Sequence, residues 1–171
     1  MIRLIGAVLI TAGAAAWGLL GVFRLRSRVR SLNALVSALG VMKSEICERL
    51  TPMPELLKLL GNEATPPASL LFKNAAEKIP SLGSKPFSTL WNQAVHETPE
   101  LLLASPEELV LKELGLSLGR YDIGEQRSAL QYAERRLGDY ARKAETEREK
   151  NSKVHAFLGV AAGLFAVVIL L

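Results

Sequence analysis

Both ends of this chain are apolar for about the length of a bilayer crossing, and that limits the folds open to it more than any other feature. Residues 4–23 read LIGAVLITAGAAAWGLLGVF, twenty residues without a charge. As a helix rising about 1.5 Å per residue they span about 30 Å, the thickness of a hydrocarbon core. Residues 154–171, VHAFLGVAAGLFAVVILL, form a second run of eighteen, within the spanning range of about 17–25. Lipid offers no water to backbone amides, so each run has to be helical there.

The first run has a competing reading as a cleaved signal peptide, with Arg3 as its basic start and AGAAAW as small residues for cleavage. It is long for that purpose, and Arg24, Arg26, Arg28 and Arg30 follow it at once. The positive-inside rule disfavours carrying those four across. Arg142, Lys143, Arg148, Lys150 and Lys153 precede the second run. Both basic clusters therefore sit on the side of the central segment, which is expected to be cytoplasmic with both termini reaching the opposite face. The expected domains are a transmembrane helix at 1–23, a helical body at 24–153 and a transmembrane helix at 154–171. Arg24, Arg26, Arg28, Arg30, Lys150 and Lys153 are read as juxtamembrane anchors. Gly159 and Gly163 form a GxxxG that lets helix backbones approach closely, although such spacings also arise from composition alone.

Net charge is +4, from 21 Lys and Arg against 17 Asp and Glu. Removing Arg3 and the four arginines after the first run leaves 16 against 17, so the body is near neutral. No basic face argues for nucleic-acid binding. The one cysteine, Cys47, excludes an internal disulfide framework.

Between the runs, Pro and Gly separate helix-like stretches, and no segment alternates with the period of a strand. Leu32, Leu35, Val36, Leu39, Met42, Ile46 and Leu50 keep steps of three and four, which predicts an amphipathic helix continuing from the first run. Pro52 and Pro54 stop it. Pro54 opens a second helix that Gly61 closes. Further helices are predicted behind Pro66 and Pro67 and over PFSTLWNQAVHE, where Phe87, Leu90, Trp91 and Val95 share a side. Another is predicted over SPEELVLKELGLSLG, with Ser105 as N-cap, Pro106 next and Glu108 completing a capping box. The last helix begins near Ile123 behind Asp122, read as its N-cap with Glu125 in the first turn. Its seam is Ile123, Leu130, Ala133, Leu137, Tyr140 and Ala144. Asp139 with Lys143 and Glu149 with Lys153 support an exposed stalk. The fold class is all-α: a membrane-anchored antiparallel bundle of about six helices between two terminal transmembrane helices, the long first and last helices lying antiparallel.

Catalytic chemistry finds little support. Only His96 and His155 are available. HETPE at 96 lacks the second histidine of a zinc helix, and the glycines from 115 to 124 lack a phosphate-loop ending. Cys47 has no histidine nearby in sequence and reads as a structural thiol. No enzyme activity, metal or cofactor is expected. Glu45, at the edge of the first apolar face, needs a hydrogen-bonding partner or water. It is open whether it pairs locally or meets another helix or partner.

Several strings, in order, resemble one family. They are RLIGAVLI at the start, Ser44-Glu45-Ile46 followed by Thr51-Pro52, and Leu71-Phe72. After them come Leu114-Gly115, Leu118-Gly119, Asp122 and Gln126, then Lys150, Lys153, Leu158, Gly159, Gly163 and the closing ILL. Together with two terminal spans they resemble the stage III sporulation protein AB of spore-forming Firmicutes over nearly the whole chain. Arg49 departs from that pattern, which has a glycine before Thr51-Pro52. The resemblance implies a body similar to the cytoplasmic domains of type II secretion and type IV pilus platform proteins. It implies a non-catalytic membrane platform in the apparatus joining mother cell and forespore, located in the mother-cell membrane. Its implied partners are a secretion-type ATPase, stage III sporulation protein AA, and other components of the apparatus; a homo-oligomer is also open. Glu45, Thr51, Pro52, Asp122 and Gln126 are the pattern-matching positions read as partner-facing or bundle-ordering. The alternative is a helical sensor or regulator signalling through its stalk.

Overall fold

The computed structural model describes residue 23, residues 25–119 and residues 122–170, with side chains to residue 150. The chain divides into two compact units, Arg28–Arg142 and a second made of Met1–Ser27 with Lys143–Leu171. The described residues are helical, with no β-strand among them. In chain order the helices are α1 (residues 25–44), α2 (Met53–Glu63), α3 (Ala68–Lys78), α4 (Phe87–His96), α5 (Ser105–Ser117) and α6 (Ile123–Leu170).

Each helix starts and stops for a local reason. α1 loosens into a π turn, Glu45–Arg49, and ends at Leu50, whose backbone is left-handed (φ 56°). The Pro52 carbonyl accepts the N–H groups of Glu55 and Leu56, opening α2. Pro67 and Pro86 stand at the N-caps of α3 and α4, where a missing N–H costs nothing. The peptide bond between Pro66 and Pro67 is cis. Asp122 Oδ1 accepts from the N–H groups of Gly124 (2.8 Å) and Glu125 (3.1 Å), capping α6.

Three local expectations need correction. Gly61 does not close α2, which continues to Glu63. It is buried inside the helix, where a Cβ would stand 3.0 Å from Lys73 Cγ and 3.3 Å from the Lys73 backbone nitrogen of α3. Helix interiors tolerate glycine when another backbone must pass this close. The N-cap of α5 is Ala104, one residue before Ser105. Glu107, not Glu108, returns its carboxylate to the cap, accepting the Ala104 N–H at 2.7 Å. The buried faces also differ at their ends. Leu50 is 63 % exposed and Ile123 39 % exposed. The α6 face is Gln126, Leu130, Ala133, Leu137, Ala141 and Ala144, with Tyr140 half-buried beside it.

Neighbouring helices α2–α3, α3–α4 and α4–α5 pack side by side. Leu32, Leu35, Leu39 and Met42 of α1, Leu56, Leu57 and Leu60 of α2, and Leu130 and Leu137 of α6 are buried. Each such side chain contributes about 1.5–3 kcal/mol on burial. Phe72, Trp91 and Phe87 form an aromatic chain, the Trp91 ring centroid lying 6.1 Å from Phe72 and 6.2 Å from Phe87. The end of α4 is tied to α3 through buried Thr98. Its hydroxyl donates to the Ala94 carbonyl (2.7 Å) and accepts from Asn74 (2.8 Å).

Among the described residues no helix is long and apolar enough to cross a membrane. Apart from residue 23, the first expected span lies outside the described residues. Of the second, only the backbone is described, as the end of α6.

Candidate functional site

α1 and α6 run antiparallel within the Arg28–Arg142 unit. Lys43 Nζ of α1 reaches Glu134 Oε2 of α6 at 2.7 Å. Toward the C-terminal end of α1, Cys47 lies against Arg127. Toward its start, Val36 shares a groove with Gly138 and Arg142. Residue numbers thus rise along one helix as they fall along the other. The points where the chain enters and leaves the unit, Arg28 and Arg142, are therefore toward one end. The turn after α1 and the first turn of α6 are at the other.

That second end collects the pattern-matching residues, which are far apart in sequence. Glu45 is buried, and its groups are used locally. Its carbonyl accepts the Leu50 and Thr51 N–H groups. Its carboxylate accepts Arg49 Nη1 at 2.8 Å and the Thr51 hydroxyl at 2.6 Å. Burying a carboxylate is tolerable because a cation and a hydroxyl replace its water. Pro52, exposed, follows directly. Asp122 is exposed at the cap of α6, and Gln126 is buried one turn on. Arg127 beside them is held above its ordinary pKa by the Cys47 sulfur, through hydrogen bond and charge, with Glu48 adding less. Cys47 is half-buried.

At the opposite end the structure changes one assignment. Arg28, read from sequence as a juxtamembrane anchor, turns into the bundle. Its Nε donates to Glu107 Oε1 at 3.1 Å, and Nη2 reaches the same oxygen. Glu107 is fully buried, and the Arg28 side chain is about one-quarter exposed. The physical reason is the face of α5 that Glu107 occupies. It stands three, four and seven residues before the buried Val110, Leu111 and Leu114, so helical geometry points it inward. That spacing was the available signal, and the adjacent Glu108 obscured it. Arg26, Arg30 and Lys150 are exposed. Arg24 and the side chain of Lys153 lie outside the described residues, and at Gly159 and Gly163 only the helical backbone is described.

The closest approach between α4 and α5 has no local signal along the chain. Gly115 lies under the Trp91 indole, where a Cβ would overlap the ring. The indole Nε1 donates to the Leu111 carbonyl at 2.7 Å. Among the described residues no group of His, Cys, Asp and Glu is placed to hold a metal.

The family model for stage III sporulation protein AB matches residues 3–171. The Bacillus subtilis (strain 168) stage III sporulation protein AB is 28 % identical over 172 residues, covering 100 % of both chains. A solved structure of a stage III sporulation protein AB superposes with a TM-score of 0.66 at 26 % identity, over 72 % of this chain and 98 % of that one. With the match running through both termini and the helical fold shared, this chain belongs to the stage III sporulation protein AB family.

Proposed function

We propose that this protein is a non-catalytic platform, held in the mother-cell membrane at both ends, with its helical body on the cytoplasmic side. In this reading it couples a secretion-type ATPase, stage III sporulation protein AA, to components of the sporulation apparatus across the membrane. The observation that carries the reading is the antiparallel α1–α6 pair. It brings Arg28 and Arg142, where the chain enters and leaves the body, toward one end, and the Glu45–Thr51 turn and Asp122 toward the other. The charge distribution supports it too, because basic clusters flank both apolar runs on the side of the body.

Accessibility of the Ser84 loop tests the topology. In full-length protein carrying Ser84→Cys and Cys47→Ser, a membrane-impermeant maleimide is expected to label only after lysis. Labelling of intact cells overturns the reading. Coupling is tested by crosslinking in sporulating cells from cysteines placed on the Glu45–Asp122 end. Recovery of the ATPase is the expected result, and recovery of lipid and self-adducts alone contradicts it.

A further inference from the structure

The outer seam between α1 and α6 holds a groove of ≈ 430 Å³. Apolar Val36, Gly138 and the cations Lys43, Arg135 and Arg142 are among the residues that line it. Glu134, the one acid in its lining among the described residues, is matched by Lys43. Arg135 and Arg142 are both exposed and lie one turn to either side of Gly138. Arg135 donates to the Gln131 carbonyl of its own helix at 3.3 Å. Arg142 reaches Asp139 in an exposed pair that solvent weakens.

Gly138 is the unexplained member. Glycine inside a helix is unfavourable relative to alanine, and packing does not require it here. A Cβ at 138 would meet no atom within 4 Å. Gly40, across on α1, is similar: its Cβ would meet only Glu134 Oε1, at an ordinary 3.5 Å. At Gly138 the groove is therefore open where an alanine would also fit.

We propose that this groove docks an acidic helix of a partner protein, its backbone crossing over Gly138 and its carboxylates meeting Arg135 and Arg142. Small residues admit a close helix approach, and arginine forks bind carboxylates bidentately. A phosphate headgroup has similar chemistry but fits the geometry less well. Val154, where the apolar run begins, lies about 18 Å of helix beyond Arg142, against about 5–8 Å for the headgroup layer on one side of a bilayer. The inference rests on the scaffold reading, since it needs a protein partner, yet Ser84 labelling tests that reading separately.

The test uses the full chain in sporulating cells, with p-benzoylphenylalanine replacing Gln131 in the groove and, as control, Glu113 on the exposed side of α5. The expected result is a protein adduct from position 131 alone, its crosslinked peptide carrying two or more Asp or Glu within two helical turns. Arg135→Glu with Arg142→Glu should lower that adduct about tenfold. Gly138→Leu should abolish it while the purified protein melts no lower than wild type. The proposal is overturned by a lipid adduct alone, by a peptide without acidic residues, by no adduct, or by a yield indifferent to charge reversal in variants that melt normally.

Discussion

Gly115 of α5 lies directly beneath the indole of Trp91 on α4, and nothing larger than hydrogen fits between them. The ring is pinned from both sides, by Phe72 and Phe87 and by its own bond to the Leu111 carbonyl. It has no room to yield. Gly115→Ala is therefore expected to destabilise the body by about 3 kcal/mol, the upper range for overpacking, read as a fall in the urea midpoint at unchanged slope.

Gly138→Ala is the matched opposite. Both glycines are interior to helices, but position 138 has open space around it. Alanine there should stabilise by up to about 1 kcal/mol through helix propensity, raising the melting temperature. A loss of stability would mean that the seam is tighter than the structure places it.

Arg28 and Glu107 form a partly buried ion pair between α1 and α5. Removing only the cation strands a carboxylate with no water. Arg28→Ala should cost about 3–5 kcal/mol. Glu107→Gln should cost less, because the amide oxygen can still accept the Ala104 N–H that Glu107 accepts now. Equal losses in denaturant melts of the two variants would contradict this account.

Leu50 holds a left-handed backbone while its side chain is largely exposed. A β-carbon in that region costs about 1–2 kcal/mol, and glycine carries no such cost. Leu50→Gly is expected to raise stability by about 1 kcal/mol in thermal denaturation, offset in part by the greater unfolded-state freedom of glycine. Among the described residues Leu102 (φ 51°) shares this backbone region, and Leu50 is the one that stands beside the Arg49 that departs from the family pattern.

Asp122→Ala removes the side-chain acceptor of two N–H groups at the start of α6. A loss of about 1 kcal/mol is expected. Amide exchange at Gly124 and Glu125 should quicken selectively while the α2–α3 amides stay protected.

Much of this architecture could be read along the chain. The prolines at 52, 54, 67 and 86, the aspartate at 122 and the three-and-four spacing of Leu32 to Met42 act on the backbone within a turn of themselves. They therefore marked the helices and most of their inner faces. Where neighbouring residues of one type carry the same local signal, reading along the chain does not separate them. The capping carboxylate is Glu107, next to the Glu108 expected from the spacing, and Arg28 pairs with Glu107 while Arg26 and Arg30 on either side are exposed.

The amino-acid order by itself determined that the body is helical, that its ends are apolar with positive flanks, and roughly where each helix begins. These follow from hydrogen bonding and side-chain periodicity over a few residues. Tertiary structure alone decided that Arg28 serves Glu107, that Lys43 meets Glu134, that Trp91 closes over Gly115, and that Glu45 and Asp122 share one end. Such pairings depend on how each helix is rotated about its axis and where it crosses its neighbours, which only the packing of the whole core fixes.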